Sequence, residues 1–188
     1  MIDIFFELKR KYSAEIKVEE TTWFNGHAYL PLKVYVTIFS YKLWEFTVRY
    51  ENRCSEFESK QYVSGGTFNS RHIYSIRSVK KNPTNDFADF SISEKDFLSK
   101  IFAKSKKHIS SPNSEISSAF RDSVIIDKIF DLNDSEFSPY IYGKKDQDTY
   151  VIYFDFNLAK HDESIFNKLF DALLAIIDIL ENGNVSDW

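Results

Sequence analysis

The chain has 188 residues, 43% hydrophobic and 17% aromatic, with 18 Phe and 11 Tyr but only 5 Gly and 4 Pro; this suits one folded domain with an ample core and argues against a disordered or repeat-linker chain. A formal charge of −4 gives no global attraction to nucleic acid or to an anionic membrane. The single cysteine, Cys54, rules out an intramolecular disulfide and a cysteine-rich metal site, and it fits a reducing compartment.

The N-terminus, Met1 to Leu8, has an early acid, no basic stretch and no small-residue cleavage pattern, so it does not read as a secretory signal. Asp3 to Tyr12 predicts a helix: Ile4, Phe5, Leu8 and Tyr12 share a face, Asp3 can cap, and Lys9, Arg10 and Lys11 suit a helix C-terminus. Ala14, Ile16 and Val18 alternate with Glu15, Lys17 and Glu19 as in a half-buried strand, and Asn25-Gly26 is a turn signal. Lys33 to Phe39 and Leu43 to Glu51 read as a hairpin around Ser40-Tyr41-Lys42. In its second strand Trp44, Phe46, Val48 and Tyr50 point one way, and Glu45, Thr47, Arg49 and Glu51 the other.

Lys60 to Val63 predicts a short strand before a Ser64-Gly65-Gly66 turn. Arg71 to Val79 alternates again, Lys80 to Asn85 is a turn, and Phe87 to Ile92 continues as a strand. Ser93 to Asp96 resembles a capping box opening a helix with Phe97, Leu98, Ile101 and Phe102 on one face. Residues 104–118 read as a flexible loop, the one candidate boundary in an otherwise single domain spanning 1–188. Val124 to Leu132 is expected as a short buried helix, although its apolar residues fit neither period cleanly. Pro139 to Tyr142 and Thr149 to Phe156 predict a last hairpin across Gly143 to Asp148, its second strand apolar enough to be interior.

Asp162 to Asn182 is the strongest element. Ten large apolar residues lie along it, all but Leu174 and Ile179 within an arc of roughly 140°. Asp162 is a plausible N-cap and Asn182-Gly183 a good stop. It carries Lys168, Asp171 and Asp178, so it does not read as a membrane span.

Local catalytic motifs are missing. Gly65-Gly66 stands alone, without a phosphate-binding glycine pattern, and there is no Gly-x-Ser-x-Gly elbow. No two of His27, His72, His108 and His161 have metal-ligand spacing, and no metal or cofactor is expected. Cys54, in a charged stretch beside Arg53, reads as incidental. Strand charges offer more. Glu45, Arg49, His72, Arg77 and Asp155 are candidate binding residues, either as cross-strand ion pairs on a wet face or as a polar cleft for a ligand or partner. Lys95, Lys100, Lys104, Lys106 and Lys107 read as solvated helix surface and give no strong nucleic-acid signal. The acidic segments after Asp122 make the C-terminal third negative, compatible with a charged protein partner or self-association, with Asp171 and Asp178 as candidate contacts.

The expected architecture is α+β: a largely antiparallel sheet of about six to eight strands, an N-terminal helix, and the long C-terminal helix packed across one face. The expected setting is cytoplasmic. Three roles follow: a non-catalytic protein-interaction module of the immunity, inhibitor or adaptor type; a small-molecule or lipid-binding cup between sheet and helix; or, last, an enzyme assembled from His72, Arg77, Glu45 and Asp155. The functional surface is expected on the sheet face away from the long helix, or in residues 52–59 and 104–118. Replacing Leu173 with Asp is expected to unfold the protein or make it insoluble, read by thermal melting; a wild-type melting temperature contradicts the packing of that helix.

Overall fold

The alternation of Trp44, Phe46, Val48 and Tyr50 with Glu45, Thr47 and Arg49 sets up the sheet: every member of the first set is fully buried. The computed structural model describes residues 2–24, 28–54, 70–83, 87–94, 107–132 and 136–182. Within them the fold is α+β. Eight strands form one antiparallel sheet: β1 Glu15–Phe24, β2 Tyr29–Tyr41, β3 Trp44–Cys54, β4 Ser70–Lys81, β5 Phe90–Glu94, β6 Lys107–Ser110, β7 Tyr140–Asp146 and β8 Thr149–Leu158, in the order β1-β2-β3-β4-β8-β7-β5-β6. The helices are α1 Ile2–Tyr12, α2 Ser114–Asp122, α3 Val124–Phe130 and α4 Glu163–Asn182. The near-continuous apolar run of β8 is interior because β8 lies between β4 and β7.

One face of the sheet is consumed by the helices. Phe166 of α4 meets Tyr74 at 5.6 Å between ring centroids, and Phe170 meets Phe39, Phe46 and the α1 residue Tyr12 at 5.9, 5.7 and 6.0 Å. The helix begins where expected: Asp162 Oδ1 accepts hydrogen bonds from the Ser164 and Ile165 N–H groups at 2.8 and 3.2 Å. Ile179 is buried and Leu174 half-buried although both lie outside the main apolar arc; α2 and α3 also pack on α4, which accounts for their cover. At its far end, Glu181 Oε1 accepts from Trp44 Nε1 at 2.6 Å and pairs with Lys80, while Asp178 accepts from Lys42 Nζ at 2.9 Å.

Several expectations are corrected. The β2–β3 turn is Lys42-Leu43, both with left-handed φ of 48° and 64°, rather than Ser40 to Lys42. Asp3 falls inside the first turn of α1, not ahead of it. Ser93 and Glu94 are strand residues of β5, paired with His108 and Lys107, and the rest of the expected capping box lies outside the described residues. Residues 107–118, expected as loop, form β6 and the start of α2, which Asn113 caps by accepting from the Glu115 and Ile116 N–H groups. Lys107, expected as solvated, is 4% exposed; its ammonium donates to the Phe120 carbonyl at 2.9 Å and pairs with Asp127 at 2.8 Å. A buried cation is tolerated there because it meets a carboxylate and the carbonyl end of α2 together. The Asn25-Gly26 turn, the strand at 60–63, Gly65-Gly66 and the helix at 97–102 lie outside the described residues.

Gly143 is the largest misreading. The turn expected from Gly143 to Asp148 shrinks to Gln147-Asp148, since β7 runs on to Asp146. Gly143 is a strand residue opposite Phe90 and Ile152. A Cβ placed on it would sit 2.5 Å from the Tyr150 hydroxyl and 2.8 Å from Phe90 Cδ1, so the position is glycine for close approach. Gly143→Ala is expected to lower stability by about 1–3 kcal/mol through overpacking, measured by denaturant unfolding.

The Asp162 carboxyl is held below its ordinary range, first by the Ser164 hydroxyl and then by backbone N–H groups of α4. A depressed carboxyl pKa stabilises the fold above the unfolded value, and the contribution fades as pH falls through the folded value. Asp162→Ala is therefore expected to cost about 1 kcal/mol near neutral pH. The gap should narrow below about pH 4, as melting temperature against pH would show, whereas Asp162→Asn keeps most of the cap without that dependence.

Candidate functional site: the outer face of the sheet

With the helices on one side, the strand residues of opposite parity form an outer face. Its cross-strand rows follow from the register. One row runs Thr47, Arg77, Tyr153, Tyr142 and Ser91, and the next Arg49, Ser75, Asp155 and Tyr140. Glu45, Arg49, Arg77 and Asp155 thus share one face, as the candidate set required. His72 does not. It lies on the helix side, 8% exposed, with Nδ1 2.8 Å from the Tyr50 hydroxyl. The sheet separates it from Arg77, Glu45 and Asp155, so these four form no common site. The physical reason is parity, since His72 is an odd number of residues from Arg77 along the same strand.

His72 belongs instead to a ring cluster that closes the sheet–helix space near the start of α4. The Tyr74 hydroxyl is hydrogen-bonded to His161 Nδ1 at 2.6 Å, and the two imidazoles lie 6.0 Å apart. Burial pushes the Tyr50 and Tyr74 phenols well above the usual tyrosine range. Both phenols therefore stay protonated.

The outer face divides into two zones. On β3 the charges pair with one another: Glu51, 5% exposed, accepts from Arg49 at 3.4 Å and pairs with Arg53, which lies over the Trp23 ring at 5.9 Å. Glu45 pairs with Lys81 at 3.7 Å. Toward β7 the pattern changes. Tyr142 and Tyr153 stack at 4.7 Å and 16°, and Tyr140 joins them at 5.2 Å from Tyr142. The Arg77 guanidinium and the Lys144 ammonium each lie 6.0 Å from the Tyr153 centroid. Neither cation has a carboxylate partner among the described residues, and exposed Asp155 has no cation. Partial burial, then Tyr153, Asp155 and Tyr140, raise the Tyr142 phenol above its ordinary range, so it is a neutral donor.

This patch can present three phenol groups, two cations and one carboxylate to a flat partner surface. Asp155 interrupts an apolar run because its side chain faces outward and exposed. Tyr140, Tyr142, Tyr153 and Lys144 were missed as site residues. The common parity of Tyr140, Tyr142 and Tyr153 within the expected strands Pro139 to Tyr142 and Thr149 to Phe156 is a usable signal, and Lys144 alone is hidden by the turn expected from Gly143.

Of the candidate contacts on α4, Asp178 is engaged by Lys42, and Asp171 lines a cleft between α1 and α4 beside Lys11. Among the described residues no group of three or more His, Cys, Asp or Glu side chains is placed to hold a metal ion. No described helix is long and apolar enough to cross a membrane. Comparison with protein-family models, curated proteins and solved structures found no match, so a role for this chain rests on its own geometry.

Proposed function

We propose that the protein is a non-catalytic protein-interaction module, of the immunity, inhibitor or adaptor kind, and that its partner docks on the outer face around Tyr140, Tyr142 and Tyr153. The observation that carries this reading is the stacked pair Tyr142 and Tyr153, with Tyr140 tilted against it, flanked by Arg77 and Lys144, two cations without a carboxylate partner among the described residues. Tyrosine supplies large contact area at low side-chain entropy cost and keeps a polar tip for water or a partner. Arginine and tyrosine are also the residues that most often dominate interface energy. Tyr140 is 48% exposed, which is costly for a ring with no covering surface. The filled space between sheet and helices, with Trp44, Phe46, Tyr50, Ile76, Phe154 and Phe166 buried there, supplies no argument for a ligand cup.

The test is capture from native lysate with wild-type protein and with a Tyr142→Ser/Tyr153→Ser double variant, both checked for equal melting temperature. The expected result is a stoichiometric protein partner held by the wild type and lost by the variant. Equal capture by both, or no partner together with a small-molecule-dependent melting shift, overturns the reading.

A further inference from the structure

We propose that the open edge of β1 pairs antiparallel with the same edge of a second copy of this chain, about a two-fold axis at Val18. Among the described residues β1 pairs only with β2, along its whole length, and it stands at the end of the sheet. All of its residues are exposed except half-buried Ile16 and Trp23. An exposed edge of this length is a template for another strand unless something guards it. Apolar surface is exposed along this hairpin too: Val18, Phe24 and Tyr29, three of the seven exposed large hydrophobic residues among the described residues, lie on β1 and the start of β2.

Charge order selects the occupant and the register. A two-fold axis perpendicular to the sheet keeps both copies' faces aligned, so each residue must meet one of its own parity. Centring on Val18 sets Lys17 opposite Glu19 twice on the outer face, and Val18, 53% exposed, against its own copy on the helix side. It engages the strand from Glu15 to Thr21 without a like-charge pair. Centring on Lys17 sets Lys17 on itself and Glu15 on Glu19. Centring on Glu19 or Glu20 sets carboxylate on carboxylate. Centring on Ile16 keeps only Glu15 to Lys17 inside the strand, and centring on Thr21 or Thr22 offers no ion pair. Lys17 now contacts Glu15 at 3.4 Å, with both side chains more than half exposed, so redirecting it costs little. The opposite edge, β6, spans only Lys107–Ser110, so a head-to-tail β1–β6 polymer would pair four residues, fewer than the closed dimer. The dimer would form one continuous sheet with both tyrosine patches on the same side, although it stands independently of the role proposed for that patch.

The experiment is sedimentation across micromolar concentrations, with charge reversal and engineered cross-linking. Lys17→Glu and Glu19→Lys each place like charges opposite each other at two symmetric positions and should weaken self-association about tenfold. The double variant Lys17→Glu/Glu19→Lys should restore it, a rescue that mere loss of folding would not give. In a Cys54→Ser background, Val18→Cys should oxidise to a covalent dimer with the native circular dichroism spectrum. A chain that stays monomeric at every concentration overturns the proposal, as does a dimer indifferent to both reversals or a double variant no better than the singles.

Discussion

The fold depends on one contact, that of α4 with the inner face of the central strands. Nine residues of this helix are buried, and they meet rows in which Trp44, Phe46, Val48, Tyr50, Ile76, Ile152 and Phe154 are themselves fully buried. Burying each large side chain is worth roughly 1.5–3 kcal/mol before chain entropy is subtracted. No other described helix buries as many residues, and the smaller helices α2 and α3 pack beside it. Rings do most of the filling. Phe170 touches strand and α1 rings together, which couples the N-terminal helix to the C-terminal one through the sheet.

The C-terminal end of α4 is fixed by charge as well as by the buried Ile176, Ile177, Ile179 and Leu180. Glu181 gathers Trp44 Nε1 and the Lys80 ammonium, and Lys42, in the β2–β3 turn, reaches Asp178. Lys80 also lies over the Trp44 and Phe87 rings, at 5.8 and 5.5 Å. A partly buried carboxylate is held there by a cation and an indole donor together, which offsets its desolvation. The β2–β3 turn takes up left-handed backbone at Lys42 and Leu43, a conformation costing roughly 1–2 kcal/mol at each non-glycine residue. Lys42 is placed by that turn to reach the helix, so the strained backbone and the ion pair belong to one local arrangement.

Once the inner face is committed, the described strands leave the outer face and the edges open to contact. The outer face is not uniform. Its β2–β3 side neutralises itself through Glu51 with Arg49 and Arg53, a carboxylate held nearly out of water by two guanidinium groups. Its β7–β8 side keeps Arg77, Lys144 and Asp155 without an ion pair among the described residues, around three tyrosines. The first zone is tied up in contacts within the chain, while the second retains unused hydrogen-bonding and charge capacity. The β1 edge adds a row of two-signed charges whose order is self-complementary. Both surfaces owe their exposure to the same cause: all four described helices are spent on covering the inner face.

What the sequence determined by itself is what a local period can carry. The parity of β3 and β4, the helical stripe of α4 with its Asp162 cap, the N-terminal helix, the short helix at Val124–Phe130 and the antiparallel α+β class were all legible there, since side-chain direction within an element follows from spacing of 2.0 or 3.6 residues. That Glu45, Arg49, Arg77 and Asp155 share a face was only partly legible, because each strand's parity is local but its phase relative to the next strand is not. Only tertiary structure decided the rest. Gly143 reads as a turn because glycine permits turns, yet it is a strand residue against Tyr150 across its own hairpin and against Phe90, a neighbour far away in sequence. Lys107 looked solvated until α2 and Asp127 closed around it. The tyrosine patch exists because β8 inserts between β4 and β7, bringing Arg77, Tyr153 and Tyr142 into one row. Strand order and register are settled by which apolar faces bury together, a property of the whole chain that no window of neighbouring residues contains.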